Sequence, residues 1–194
     1  MESGRLEAFT DGVIAIIITI TVLELPLPHQ ADLASLRKVA PILFAYLLTF
    51  INVGIYWNNH HHMLQATERI DGSVLWANMF MLFWMSLAPW VIRWLDESGF
   101  AGMPVAAYGL VFGLTAVGYV WTQTRIIAVN GRDSAVGRAV GNDTKGKISL
   151  AAYASGTIIA FWAPWLAAIL YVGVALIWLI PDRRIEEELV KSDD

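Results

Sequence analysis

The sequence predicts an all-α membrane protein of six transmembrane helices, and three observations carry that prediction. Of 194 residues, 57% are apolar and only 15% charged, where ordinary soluble domains carry roughly 25% charged residues. The apolar residues form long blocks instead of alternating with polar ones. Each block approaches or exceeds the roughly 20 residues that cross a hydrocarbon core about 30 Å thick. The basic residues, finally, divide unevenly between the two sets of connecting segments. A single transmembrane domain is expected over 1–194.

The first block covers 8–25 and stops at Pro26-Leu27-Pro28, where proline can neither donate nor accommodate the next helical hydrogen bond. It lacks an A-x-A-like cleavage site and runs through Glu24, so it is expected to stay in the mature chain. The second block covers 39–63, the third 74–95 and the fourth 105–129. Residues 130–147 are polar, charged and glycine-bearing, which is the composition of a loop. The apolar stretch 148–180 would make about 50 Å of helix, too long for one ordinary span. Trp162-Ala163-Pro164-Trp165 near its middle divides it into two short spans, 148–162 and 164–180, joined by a tight turn.

Charge placement tests this count. With a cytoplasmic N-terminus and six spans, Arg5, Arg69, Arg125, Arg132, Arg138, Lys145, Lys147, Arg183, Arg184 and Lys191 lie inside. Only Arg37, Lys38 and Arg93 lie outside, ten against three of the 13 basic residues. Five spans would divide them seven against six, so six spans with both termini inside is the better fit. Eight of the 9 tryptophans fall near span ends and only Trp84 sits mid-span, as expected of amphipathic rings at the interface. The acidic tail 186–194 is expected to be a fraying, solvated helix end. The compact loops suit a bacterial inner (plasma) membrane.

Several function classes drop out. Without cysteine there is neither a disulfide nor a thiolate metal site, and no Lys/Arg cluster is dense enough for nucleic acid. Spans three to six offer almost no ionisable side chain, which argues against an enzyme. A secondary transporter would be expected to show broken midplane helices or an inverted repeat. That class, and a non-conducting membrane assembly protein, remain the alternatives to a channel. No cofactor is expected.

The chemistry concentrates in the first helix, Arg5-Leu6-Glu7-Ala8-Phe9-Thr10-Asp11-Gly12-Val13-Ile14-Ala15-Ile16, followed by Ile17-Ile18-Thr19-Ile20-Thr21-Val22-Leu23-Glu24. A carboxylate at the mouth of an apolar helix needs a partner. Arg5 lies six residues away on another face, so Asp11 is expected to find its partner on another helix. An interfacial charge pair holding the helix end is the alternative.

Arg-x-x-x-Phe-Thr-Asp-Gly-Val-x-Ala-Ile, running into a Thr-bearing aliphatic helix, resembles the signature of the transmembrane protein 175 family, the endolysosomal potassium channels and their single-repeat prokaryotic relatives. Thr10 stands where the family usually has Ser, which keeps the hydroxyl. The resemblance implies a homotetramer whose first helices line a central pore that passes monovalent cations, potassium among them. It places Ile16, Thr19, Ile20 and Leu23 on the pore face. At about 100° per residue these four fall within about 100° of arc, and Thr21 points the other way into the subunit body. A buried packing helix would show the same stripe.

The chain has no Thr-Val-Gly-Tyr-Gly loop, so no carbonyl filter is expected. Rings of Ile16, Ile20 and Leu23 would instead gate by dewetting, with Thr19 as a polar layer. Glu24, near the outer end, would attract cations together with the negative helix C-termini, or serve as an interfacial anchor. The second motif is Trp57-Asn58-Asn59-His60-His61-His62. One helix cannot aim three consecutive histidines at one ion, so no metal site is expected. Asn58 and His61 are the candidates to brace the first helix through Arg5, Thr10 or Asp11, and histidine protonation would then tune that brace. Gly109, Gly113 and Gly118 are expected to let helices approach closely within the subunit.

Overall fold

The computed structural model describes residues 3–140 and 143–179. The acidic tail, Arg183, Arg184, Lys191 and the final residue of the sixth expected span lie outside the described residues. Among those described there are eight helices and no strand: α1 Gly4–Leu23, α2 Leu33–Gln65, α3 Gly72–Met85, α4 Ala88–Glu97, α5 Gly102–Asn130, α6 Ala135–Val140, α7 Thr144–Ile159 and α8 Pro164–Leu179. Four helical stretches are long and apolar enough to cross a membrane: α1, α2, α3 with α4 taken together, and α5. The helices α7 and α8 have 16 residues each.

Local chemistry sets the boundaries. Helix α1 ends at Leu23, just before Leu25-Pro26, because the residue preceding a proline is pushed out of the helical region. Helix α2 starts six residues before the expected 39, at Leu33. Asp32 caps it by accepting a hydrogen bond from the Ser35 amide at 2.6 Å, and Pro41 is carried inside the helix. The expected span 74–95 is not one continuous helix but α3 and α4, parted at Ser86-Leu87. Pro89 removes the amide that would bond the Met85 carbonyl and its ring crowds that group. Ser86 Oγ meanwhile donates to the Phe83 carbonyl at 2.7 Å. Asp71 caps α3 through the Ser73 and Val74 amides. Its hydrogen bonds with Ser73 hold its carboxyl below the usual range. The expected loop 130–147 also contains the short helix α6.

Contacts between helix ends show how the chain runs back and forth. Trp57 and His61 of α2 reach the first turns of α1. Asn130 at the end of α5 brackets the α2–α3 connection, accepting from the Arg69 amide at 3.0 Å and donating to the Arg69 carbonyl at 2.9 Å. Arg125 Nε donates to Ser73 Oγ at the start of α3, at 2.8 Å. Trp178, at the end of α8, donates to Ser149 near the start of α7 at 2.8 Å, so these two helices form an antiparallel hairpin. At the opposite end of the bundle Gly102 of α5 lies against the backbone of Ala160, beyond α7.

Small residues decide the tightest packing. A β-carbon at Gly118 would stand 2.6 Å from the Met81 Cα, so α5 and α3 touch backbone to backbone there. Gly109 and Gly113 face Tyr171, Thr157 and Tyr153 of the α7–α8 hairpin. All three glycines therefore serve contacts within the subunit. Tyr153, Tyr171, Tyr108 and Phe112 fill the centre, with ring centroids 4.7 to 6.5 Å apart. The three tyrosine hydroxyls are satisfied in place: Tyr153 donates to Asn52 Oδ1 at 3.4 Å, Tyr171 donates to the Val105 carbonyl at 3.3 Å, and Tyr108 accepts from Thr49 Oγ1 at 3.2 Å.

Candidate functional site

Helix α1 has two faces of different fate. Leu6, Thr10, Ile14, Ile17 and Thr21 are buried, and their spacing of three or four residues marks a single helical stripe turned into the body. Thr21 is among them, as expected from its angle, and donates to the Ile17 carbonyl at 2.6 Å. The other face is exposed among the described residues. Ile16 is 58% exposed, Ile20 42% and Leu23 80%, with Thr19 exposed between them. Thr19 donates its hydroxyl hydrogen back to the Ala15 or Ile16 carbonyl, at 3.0 and 2.9 Å. The lone pairs of its oxygen are thereby left for water or a cation. Beside this stripe runs a groove of about 470 Å³, lined by Ile16, Ile20 and Glu24 from α1 and by Pro89, Trp90 and Arg93 from α4.

The N-terminal half of α1 is held in place by three side-chain connections. Asn78 of α3 donates to Thr10 Oγ1 at 2.9 Å, and its carbonyl oxygen lies 2.8 Å from His60 Nε2. With the amide nitrogen committed to Thr10, the Asn78 oxygen must accept, so His60 Nε2 carries the hydrogen. All three side chains are fully enclosed. Trp57 Nε1 donates to Asp11 Oδ1 at 2.9 Å. His61 Nδ1 faces Glu7 Oε1 at 2.6 Å, its Nε2 faces Gln65 Nε2 at 2.9 Å, and its ring stacks on Trp57.

Two elements, α2 and α3, thus converge on Glu7, Thr10 and Asp11 of α1. The second-helix motif does brace the first helix, but through partners that differ from the expected ones. His61 pairs with Glu7 and not with Asp11, Arg5 or Thr10. Asp11 is held by Trp57. Asn58, Arg5 and Phe9 are exposed and stand outside this network. Asn58 sits two positions before His60, and about 200° of helix rotation turns it to the opposite side. The residue that sequence reasoning missed is Asn78: a lone Asn inside an apolar span has no local partner, and that isolation was the available signal. His60 and His61 engage different partners, and among the described residues no three His, Cys, Asp or Glu side chains converge as metal ligands.

At the other end of α1, Glu24 caps the helix and lies 3.5 Å from Arg93 Nη1. Arg93 in turn donates through Nε to Glu97 at 2.8 Å.

The chain is similar to known proteins. The profile of the family described as the endosomal/lysosomal potassium channel TMEM175 matches residues 5–89, which takes in α1, its brace and the start of α4. A potassium channel of Chryseobacterium sp. (strain P1-3) is 48% identical over 192 residues, covering 99% of this chain and 100% of that protein. The human endosomal/lysosomal proton channel TMEM175 is 27% identical over 116 residues, 54% of this chain and 23% of that one. The fold is shared with the crystal structure of a lysosomal potassium-selective channel TMEM175 homolog from Chamaesiphon minutus. That match has a TM-score of 0.80 and 24% identity, covering 93% of this chain and 98% of the other.

Proposed function

From the premise that the chain belongs to the TMEM175 channel family, we propose that it forms a potassium-permeable cation channel in which α1 of each of four subunits lines a central pore. Family and fold are those of channels, not enzymes. The observation that carries the reading is the division of α1: one face is locked to the body by Thr10, Asp11 and Glu7, while Ile16, Thr19, Ile20 and Leu23 are left uncovered. A helix held so firmly on one side presents the other at a fixed angle.

In the assembled pore Ile16, Ile20 and Leu23 form apolar rings that close by dewetting, and Thr19 adds a layer of oxygen lone pairs between them. Glu24 lies at the outer mouth and concentrates cations there. Discrimination comes from these rings, without a carbonyl cage. Six spans place both termini in the cytoplasm, α3 and α4 count as one span, and α7 and α8 serve as two thin ones. Supporting this, α7 begins beside the end of α5 and its far end lies beside the start of α5. Among the described residues, seven basic side chains then fall at the inner end and Arg37, Lys38 and Arg93 at the outer. A bacterial plasma membrane is the setting, and no cofactor is required.

The test is potassium flux into liposomes holding the purified protein, comparing wild type with Ile20→Asn and Ile16→Asn. The wild type should conduct, and either substitution should hydrate the constriction and raise flux or weaken selectivity over sodium. Folded, oligomeric proteins that all fail to conduct would sink the channel reading and favour a transporter or an assembly protein.

A further inference from the structure

Arg93 stands where the groove beside the α1 stripe ends. The lining passes from Ile16 and Ile20 to Glu24 and Arg93, so the guanidinium sits at the same end as the carboxylate at the outer mouth. It is divided between two acids. Glu97, one turn on along α4, takes Nε at 2.8 Å, and Glu24 on α1 stands 3.5 Å from Nη1. The Arg93 side chain is 62% exposed and that of Glu24 31%. An ion pair this exposed adds little to stability, and α1 is already fastened to the body by Ile14, Ile17 and Thr21. A mechanical clasp is therefore a poor account of it. Its electrical effect is larger. Glu24, Glu97 and Arg93 sum to one negative charge per subunit, where the two acids alone would give two.

We propose that Arg93, oriented by Glu97, is a conductance-setting residue: it shares the Glu24 carboxylate with incoming cations and keeps the outer-mouth trap shallow enough for them to leave. This rests on the channel reading above. A conducting pore needs binding favourable enough to draw an ion in and weak enough to release it. A carboxylate with one tethered cation alongside meets both needs. Arg suits the role because its fork holds Glu97 with one nitrogen and offers another to Glu24. Screening limits the effect in a defined way, since the Debye length is about 30 Å at 0.01 M salt and about 3 Å at 1 M.

The experiment is inward potassium current in planar bilayers, with about 10 mM and then about 1 M potassium on the outer side. Wild type is compared with Arg93→Gln, Arg93→Lys, Glu24→Gln and the double variant Arg93→Gln/Glu24→Gln, each checked for intact assembly. Arg93→Gln should raise inward current at low salt by roughly two- to fivefold, and the gain should vanish at high salt. Arg93→Lys, which keeps the charge but loses the fork, should fall between wild type and Arg93→Gln, Glu24→Gln should lower the current, and Arg93→Gln should add nothing in the Glu24→Gln background. An unchanged or lower current in Arg93→Gln overturns the inference while the wild type still conducts. So does an equal gain with and without Glu24, because Arg93 would then act through the general field alone. A wild type that passes no potassium at either salt overturns the channel reading itself.

Discussion

Asn78 joins two polar side chains that otherwise have no reason to be inside the bundle. Its amide nitrogen serves Thr10 and its oxygen serves His60, with none of the three open to solvent. A buried polar group that loses its partner costs about 1–3 kcal/mol, more than a typical net hydrogen bond is worth. Asn78→Leu preserves shape but orphans both neighbours, so the protein should lose about 2–4 kcal/mol of stability, seen as a lower midpoint of thermal unfolding in detergent. Adding Thr10→Val should recover part of that loss, since an apolar side chain needs no partner. Strict additivity of the two substitutions would show that the contact carries no coupling energy. The sequence marks Thr10 and Asp11 as residues in need of partners, because polar side chains in an apolar helix demand them. It does not say that Trp57 and Asn78 are those partners, since a hydrogen bond between positions 68 residues apart depends on how helices pack.

At the scale of the element, α5 is the strut on which the others are hung. Gly118 lets Met81 of α3 come within backbone contact, while a β-carbon at Gly113 would meet Tyr153 Cβ at 3.2 Å. The two glycines should therefore differ. Gly118→Ala meets unyielding backbone and should cost about 1–3 kcal/mol, or force α3 and α5 apart. Gly113→Ala asks α7 to give by only a few tenths of an ångström at Tyr153 Cβ and should be milder. Comparing unfolding midpoints and assembled yield of the two variants checks this; equal effects would mean that α3 can slide. The end of α1 was legible because proline acts locally, whereas the start of α2, set by the Asp32 cap, lies six residues before the expected 39. The break at Ser86-Leu87 was also written locally, in Pro89, but apolar residues on both sides hid it within one hydrophobic block. Helix α6 escaped notice because six residues in a polar loop carry no periodic signal.

For the whole molecule, the outward stripe of α1 is the surface through which subunits meet in the proposed pore. If four subunits face one another across an axis, residue 20 of each lies near its symmetry mates. The chain contains no cysteine, so Ile20→Cys introduces a unique thiol. Mild oxidation in the membrane should then yield disulfide-linked dimers, while Thr21→Cys, on the buried face, should yield none. Linked species from neither variant, in protein that still assembles, would place α1 against lipid and not around a pore. The test reads symmetry directly and does not depend on ion flux.

The sequence by itself determined the class of the protein, the approximate positions of its helices and the angle between the two faces of α1. Those properties follow from composition, from local breakers and from the fixed helical rotation of about 100° per residue. Through its first-helix signature it also determined the family. Only the tertiary structure decided which residue answers Asp11, that Asn78 links Thr10 to His60, and that Arg93 stands beside Glu24. Each of these joins groups distant in the chain, and their meeting depends on the crossing and depth of packed helices. Close packing allows one such arrangement, and no local pattern of residue types encodes it.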